Sequence, residues 1–265
     1  MKKLTRVLSG VLAGLMVLGL AACGGTSAAP AAATAAPATT AAAPAEDTTA
    51  AAALDADVQA IVDRGVLRVG VKNAVLGFGY QDPITGEYSG MEIDLANALA
   101  AQLGVDVEFT TVTAATRTEL LDSGDIDCVL ATFTITEERK QSWDFTTPYY
   151  TDHVTVLVED ASGIKTLADL KDKLVGVSSG STSARALTAA MIDAGVIDGA
   201  GFDKETFDAA TWKDGISFQQ FDDYPGISTA LAAGQVDAFC VDKSILAIYK
   251  TEGRSYIADE FAPQE

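Results

Sequence analysis

The sequence has 265 residues, with 18 Lys and Arg against 37 Asp and Glu, and a formal net charge of −19 at neutral pH. So acidic a chain is repelled by the phosphates of duplex nucleic acid, and we therefore expect no nucleic-acid partner. Hydrophobic residues make up 48% of the chain, which is enough for one large globular domain or two smaller ones.

The chain begins with a segment typical of secretion. Three basic residues among the first six precede an apolar run over residues 7–20, which is too short to span a membrane as a helix. The sequence Leu-Ala-Ala-Cys-Gly at residues 20–24 resembles the lipobox of bacterial lipoproteins. This resemblance implies that residues 1–22 are a signal peptide and that Cys23 carries a lipid anchor. An ordinary signal peptide that contains a cysteine is the alternative.

Residues 23–53 are predicted to be a disordered tether between the lipid and the folded part. From residue 24 to residue 53 there are 16 Ala, six Thr and three Pro. Such side chains bury too little apolar surface to offset the entropy lost on ordering. Alanine favours a helix, but prolines at regular intervals would interrupt one.

The first half of the remaining chain predicts the order β-α-β-α-β. The expected elements are a strand over 67–71, a helix over 91–103, a strand over 105–109, a helix over 117–122 and a strand over 126–131. The longer helix is predicted from apolar residues at helical spacing, namely Met91, Leu95, Leu99 and Leu103. Gly104 is suited to the position after its last turn.

The second half continues the alternation of strands and helices. Strands are expected over 154–158, 174–177, 217–221 and 236–241, and helices from Thr166, from near Ser181, over 225–234 and over 243–252. Alternating elements favour α/β architecture with parallel sheets and helices on both faces. Because residues 148–153 separate two such runs, we expect two lobes.

Polar residues follow four of the predicted strands at the edge where ligands bind in such sheets. They are Lys72, the segment 134–139, the segment 178–183 and Asp242. Any one of these segments is explained equally well as a solvated loop. The occurrence of four such polar segments, distributed over the two expected lobes, favours a shared binding site.

A family resemblance rests on several motifs. The stretch from Ala131 to Tyr150, Ala-Thr-Phe-Thr-Ile-Thr-Glu-Glu-Arg-Lys-Gln-Ser-Trp-Asp-Phe-Thr-Thr-Pro-Tyr-Tyr, resembles the signature of family 3 extracellular solute-binding proteins, the amino-acid receptors of ABC importers. Further matches lie at 70–73, 85–95, 223–225 and 236–246. Together they resemble most the aspartate/glutamate-binding branch. The resemblance implies binding without a catalysed reaction and without a cofactor.

The same resemblance implies an α/β, two-lobed periplasmic-binding-protein-like fold with parallel-type sheets flanked by helices and a two-strand hinge. We expect the first lobe over 54–148, a hinge over 149–153 and the second lobe over 154–258. Residues 259–265 would begin a second hinge strand. Because the chain of complete family members returns to the first lobe at that point, we expect a truncated chain here, with an unpaired sheet edge.

A cleft that buries an amino acid needs paired donors for the carboxylate and an anion for the ammonium group. Arg139 suits the first role because its planar guanidinium offers two parallel hydrogen bonds, and Asp242 suits the second. In the family these roles fall on the matching positions. The alternatives are that Arg139 pairs on the surface with Glu137 or Glu138, and that Asp242 caps the helix after it.

Three hydroxyl residues complete the expected contacts with the backbone of the ligand. Thr134 follows a strand and offers a hydroxyl or an N–H group. Ser181 and Thr182 stand at a helix start, where free N–H groups and the positive end of the dipole favour an anion. They are equally suited to cap that helix.

Ligand identity depends on two more cations. Lys72 and Arg117 lie where the family's receptors for other polar amino acids carry acidic, neutral or aliphatic residues, and a second carboxylate is the simplest partner for both. Lys72 is otherwise an ordinary solvated lysine. Tyr224 is expected to contribute a hydroxyl from the second lobe or to pack at the start of its helix.

The sequence therefore predicts a glutamate or aspartate receptor that closes by a hinge motion and docks on an ABC permease. We expect a monomer held through Cys23 at the extracytoplasmic face of the cell membrane. The alternatives are a receptor for another polar amino acid such as glutamine, and a dehydratase-like enzyme on the same fold.

Overall fold

The computed structural model of the protein describes residues 54–265. The predicted signal peptide, the predicted lipid attachment site at Cys23 and the predicted tether lie outside the described residues. The α-helices of the described part are α1 (Ala56–Arg64), α2 (Met91–Leu103), α3 (Arg117–Asp122), α4 (Ser183–Asp193), α5 (Tyr224–Ala232) and α6 (Lys243–Leu246).

The strands of the described part form three sheets. They are β1 (Val66–Val71), β2 (Ala74–Val75), β3 (Gly79–Gln81), β4 (Tyr88–Ser89), β5 (Asp106–Thr111), β6 (Cys128–Leu130), β7 (Asp152–Glu159), β8 (Leu174–Ser178), β9 (Ser217–Phe221), β10 (Ala238–Asp242), β11 (Arg254–Tyr256) and β12 (Phe261–Gln264).

The first sheet has the parallel order β5-β1-β6. Val69, at its centre, is opposite Phe109 on one side and Cys128 on the other. Alternate residues of β1 are buried against α2, as the period-two pattern of this strand predicts. The predicted β-α-β-α-β order of the first lobe is confirmed.

The second sheet is mixed rather than parallel. Its order is β11-β7-β10-β8-β9, and β12 also pairs with β7. Strands β8, β9 and β10 run parallel, but β7 is antiparallel to β10, β11 and β12. The expectation of parallel sheets is therefore wrong for this lobe, because β7 enters it from the first lobe in the opposite direction.

In this two-lobed fold, β7 follows the first lobe along the chain, and β12 lies beside the start of β7. In the pairing of β12 with the start of β7, Gln264 is opposite Asp152 and Phe261 is opposite Val154. The polar residues Asp152, at the start of β7, and Gln264, at the end of β12, thereby lie side by side.

Helix α2 has the predicted bounds and the predicted end at Gly104, whose φ is +71°. The predicted buried face is wrong, because Leu95 and Leu99 are 37% and 39% exposed. The helix instead buries a face of small residues together with one acid, namely Glu92, Ile93, Ala96 and Ala100. Alanine side chains let the helix axis approach the sheet closely, which the bulkier leucines would prevent.

Other differences concern short elements. The helix expected from Thr166 is a 3-10 turn over Leu167–Leu170 with a capping box, and α6 ends at Leu246 instead of residue 252. The prediction missed α1, the small sheet β2-β3-β4, β11 and the pairing of β12. Cys128 and Cys240 are free thiols. Within residues 54–265, no helix combines the length and the apolar content needed to cross a membrane.

Gly90 joins the small sheet to α2 in a conformation that only glycine adopts readily. Its φ is +123°, and a β-carbon there would collide with the carbonyl of Phe78. We expect Gly90→Ala to lower the free energy of unfolding by about 2 kcal/mol or more. Gly77→Ala is the matched control, because Gly77 also has a positive φ but faces open space. Urea denaturation compares the two, and equal losses would contradict the steric argument.

Candidate functional site

The predicted site residues lie at the carboxyl ends of strands or at the helix starts that follow them. Lys72 follows β1, Arg117 begins α3, and the loop after β6 carries Thr134 and Arg139. In the second lobe Ser181 and Thr182 follow β8, Tyr224 begins α5, and Asp242 ends β10. This is the edge at which ligands bind in open α/β sheets.

Arg117 is almost fully buried, with 2% of its surface exposed. Its Nη1 atom donates to the carbonyl oxygens of Ala131, at 2.8 Å, and of Thr132, at 3.0 Å. Nε is buried without a hydrogen-bond partner among the described residues. The backbone thus fixes one nitrogen, and the Nε edge of the guanidinium remains suited to an external acceptor.

Arg139 connects the two lobes. Its Nη1 donates to the carbonyl of Thr134 at 2.7 Å, and its Nη2 donates to the carbonyl of Gly180 at 3.1 Å. Thr134 therefore acts here through its backbone oxygen, not through the expected hydroxyl or N–H group. These two bonds use two of the five guanidinium donors, which leaves the others for a ligand.

The surface ion pairs considered for Arg139 do not form. Glu137 pairs with Lys140, and Glu138 pairs with Arg185 of α4. Arg139 has no carboxylate partner among the described residues, and burial followed by the nearby charge of Arg117 lowers its pKa to about 9. A partly buried cation without an anion is an arrangement that an anionic ligand would relieve.

Phe133 is a platform for both guanidinium groups, which the sequence analysis missed. The Cζ atom of Arg117 lies 4.0 Å from the ring centroid, and that of Arg139 lies 4.4 Å away. An aromatic face attracts cations and excludes water from one side of them. The position of Phe133 between Thr132 and Thr134 indicates a role in the site only when it is considered together with the two arginines.

Lys72 is buried, with 5% of its surface exposed, and is not the ordinary solvated lysine of the alternative. Its Nζ atom lies 5.7 Å from the ring centroid of Tyr224. Burial, and then the positive charge of Arg117, lower the pKa of Lys72 to about 7, while Glu92 acts in the opposite direction. The protonation of this lysine is therefore sensitive to any further charge in the site.

Glu92 belongs to this group of charges, although the sequence analysis assigned it no role. It is fully buried, and its Oε1 atom accepts hydrogen bonds from the N–H of Thr132 at 2.6 Å and from the hydroxyl of Tyr149 at 2.7 Å. Burial raises the pKa of Glu92, and these two bonds together with Lys72 and Arg117 oppose that rise. Glu92 is thus the acidic neighbour of both cations.

Asp242 does not cap helix α6. Its side chain makes no capping bond, and Asp152 accepts from the N–H of Ser244 at 2.8 Å instead. The Oδ1 atom of Asp242 is buried without a hydrogen-bond partner among the described residues. Burial and the neighbouring Asp152 raise the pKa of Asp242 to about 7, and Arg117 and Arg139 oppose the rise. The carboxylate is thus available to a cation.

Tyr224 is buried at the first position of α5, with Asp223 as the cap of that helix. Its ring stacks at 6.3 Å on Phe239, and its hydroxyl end is close to the charges of Asp242 and Arg117. The side chain therefore combines the two alternatives, because it packs at the helix start and also faces the charged group.

Ser181 and Thr182 lie beside this group but do not cap α4 through their side chains. The helix begins at Ser183, slightly later than predicted. The N–H of Ser181 donates to the carbonyl of Ser178 at 3.1 Å, so it is not free as expected, and the buried Ser181 hydroxyl has no partner among the described residues. Thr182 donates to Gln264 at 2.8 Å.

A cavity of about 260 Å³ adjoins the group without containing its cations. Glu92 and Asp242 reach its wall, which is otherwise largely apolar along β6, with Leu121 and Val129 among its residues. We therefore place the candidate site at the charged group itself. Within residues 54–265, no His, Cys, Asp and Glu side chains are grouped so as to hold a metal ion.

The arrangement brings acidic and basic side chains from both lobes into one largely buried group. It can hold a small molecule that carries anionic groups and a cationic group, since unpaired charges are costly when buried. The model of the bacterial extracellular solute-binding proteins, family 3, matches residues 67–199, which is half of the chain and includes both arginines.

The chain belongs to this family.

Two curated relatives and a solved structure resemble this family 3 protein. The glutamine-binding protein of Geobacillus stearothermophilus is 32% identical over 78% of this chain and 73% of its own length. Glutamate-binding protein GluB of Corynebacterium efficiens is 31% identical over 72% of this chain and 60% of its own length. The ancestral amino acid-binding protein AncCDT-1, a precursor of cyclohexadienyl dehydratase, is 30% identical with a TM-score of 0.62, over 78% of this chain and 82% of that one.

Replacing Lys72 by Met should stabilise the protein at neutral pH. The pKa of Lys72 is about 7 in the folded chain against an ordinary 10.5, so the charged lysine costs stability at pH 7 and below. This cost fades as the pH rises from about 7 to about 10.5. At about 1.4 kcal/mol for each pKa unit, the variant should gain roughly 2–4 kcal/mol at pH 7 and little at pH 10. Denaturant unfolding at pH 6, 8 and 10 measures the gain in the free energy of unfolding. A difference between variant and wild-type protein that does not change with pH would contradict the explanation.

Proposed function

We propose that this family 3 solute-binding protein binds glutamate or aspartate and delivers it to the permease of an ABC importer. The observation that carries the proposal is the buried pair of cations, Lys72 and Arg117, of which Arg117 keeps an unpartnered Nε. A second carboxylate on the ligand would offset their mutual repulsion.

The remaining charges suit the two groups that all amino acids share. Arg139 is proposed to bind the α-carboxylate with its remaining donors, and Asp242 is proposed to accept from the ammonium group. The unpartnered hydroxyl of Ser181 supports a contact with the α-carboxylate. We propose lesser contacts for Thr134, Thr182 and Tyr224, whose hydroxyls or backbone groups border the same space.

Closure of the lobes is proposed to complete the site. Contacts between the lobes include the bond from Arg139 to Gly180 and the ion pair of Glu138 with Arg185. A ligand favours closure only by the difference between its contacts in the closed and the open state. Arg139 supports such a difference because it bonds to the second lobe while it lies next to the proposed α-carboxylate. The segments 149–153 and 259–265 are proposed as the hinge.

Delivery requires the protein to stay near the membrane. We propose that Cys23 carries a lipid after removal of residues 1–22, and that residues 23–53 tether the folded part at the extracytoplasmic face. The acidic chain supports this, because anionic lipids would repel it without such an anchor. The protein is proposed to meet the permease as a monomer.

Glutamine is the second candidate, favoured by the similarity to a glutamine-binding protein. Arg117→Ala separates the two ligands. The variant should lose about 2–4 kcal/mol of glutamate affinity by calorimetry, because a carboxylate is left opposite a missing cation, and little of its glutamine affinity. Arg139→Ala is the matched control and should weaken both amino acids by about 2–5 kcal/mol. Equal losses for both ligands in Arg117→Ala would refute the assignment of Arg117 to the side chain.

The pH dependence of binding gives a further test. The pKa of Asp242 is about 7, so protonation below this pH removes the partner of the ammonium group and weakens every amino acid. The pKa of Lys72 is also about 7, so its deprotonation above this pH weakens glutamate but not glutamine. We expect glutamate affinity to peak near pH 7 and glutamine affinity to reach a plateau from pH 7 to pH 8.5. Parallel curves for the two ligands would contradict the role of Lys72.

An enzyme on the same fold would convert its substrate into a product, whereas a protein that only binds its ligand would not. Incubation with labelled amino acids and with a cyclic acid substrate, followed by chromatography, should recover each ligand unchanged. Catalytic turnover of any of them would reject a purely binding function.

A further inference from the structure

Glu92 is the most deeply buried charged side chain near the site, and the proposed function assigns it no ligand contact. It lies in the first turn of α2 with none of its surface exposed. An acidic side chain in a first turn normally faces water, where it interacts with the helix dipole. Its burial therefore requires partners within the fold.

The first partner is a strained turn. Thr132 has a φ of +47°, a left-handed conformation that is costly for a β-branched residue. Glu92 accepts the N–H of this residue at 2.6 Å. The carbonyls of Ala131 and Thr132 then converge on Nη1 of Arg117. The orientation of the Arg117 guanidinium thus depends on a backbone conformation that the carboxylate of Glu92 holds.

The second partner is the segment that leads into β7. The hydroxyl of Tyr149 donates to the same Oε1 atom at 2.7 Å. Tyr149 lies in the proposed hinge, so one carboxylate connects α2, the Arg117 turn and the hinge. Glu92 Oε2 has no hydrogen-bond partner among the described residues.

The third interaction of Glu92, with Lys72 and Arg117, is electrostatic. The charges that face Lys72 are Arg117, which is unfavourable, and Glu92, which is favourable, and the face of the Tyr224 ring lies at 5.7 Å. The groups that face Glu92 are Lys72, Arg117, Tyr149 and the N–H of Thr132. Glu92 is thus the carboxylate that offsets the repulsion between the two cations.

We propose that Glu92 is a positioning residue for the side-chain end of the ligand, which orients Arg117 through Thr132 and favours the charged form of Lys72. The identity of the ligand in this inference rests on the proposed function. The effects of Glu92 on the orientation of Arg117 and on the charge of Lys72 do not depend on that function. A receptor built in this way can keep two cations side by side before its anionic ligand arrives.

Glu92→Gln is the test, because the amide retains an acceptor oxygen for Thr132 and Tyr149 but removes the charge. Carbon-13 NMR of labelled lysine follows Lys72 in the ligand-free protein. The pKa of Lys72 should fall by about one unit in Glu92→Gln. Tyr149→Phe is the control, since it removes one hydrogen bond and leaves the charge, and the lysine titration should stay unchanged. An unchanged titration in folded Glu92→Gln would overturn the proposal.

Ligand binding adds a readout that a purely structural role would not change. At pH 8 the glutamate affinity of Glu92→Gln should fall about tenfold more than its glutamine affinity, because a pKa lower by about one unit reduces the protonated fraction of Lys72 about tenfold at this pH. At pH 5 the difference should shrink to within about twofold. If Lys72 titrates as expected but glutamate is not preferred by the wild-type protein, then the proposed ligand is wrong and the role of Glu92 stands.

A measurement on the wild-type protein covers the case in which Glu92→Gln does not fold. The side-chain carbon resonance of Glu92 should report an ionised carboxylate at pH 7 and shift as Lys72 loses its proton. A protonated Glu92 at pH 7 would overturn the proposal.

Discussion

Two cations, Lys72 and Arg117, are buried within electrostatic reach of each other, and the site depends on how the fold tolerates this repulsion. The backbone contributes carbonyl oxygens to Arg117, the ring of Phe133 covers one side of the guanidinium, and Glu92 is proposed to supply a negative charge. Each of these three interactions lowers the free-energy cost of burying the cations without forming a full ion pair. In the proposed function, the remaining donors of this group would favour a ligand that brings a compensating charge.

The architecture explains how such groups come together. Parallel strands place their carboxyl ends at one edge, so residues distant in sequence meet there: Lys72 after β1, the Phe133 loop after β6 and Asp242 at the end of β10. The second sheet is mixed only where β7 and its antiparallel partners enter, and its parallel part β10-β8-β9 still presents this edge. The bond from Arg139 to Gly180 then joins the two edges.

Much of this arrangement was readable in the sequence. The period-two pattern of β1 and the glycine after α2 define those elements by local sterics, and the cations of the site stand out because charged residues follow buried strands. The buried face of α2 was not predictable from hydrophobicity, since Ala96 and Ala100 pack closely while Leu95 remains partly exposed. Glu92 was missed for a related reason. An acid in a first turn resembles a solvated residue until the fold brings Lys72 and Arg117 to it.

The two tryptophans of the chain occupy separate environments. The Trp143 ring lies 6.0 Å from Phe133, which stacks on both arginines, and its indole N–H donates to Asp122. Trp212 packs with Phe202 and Phe207 in the second lobe, away from these charges. Intrinsic tryptophan fluorescence therefore arises from two different environments, one beside the guanidinium platform and one in the aromatic cluster of the second lobe.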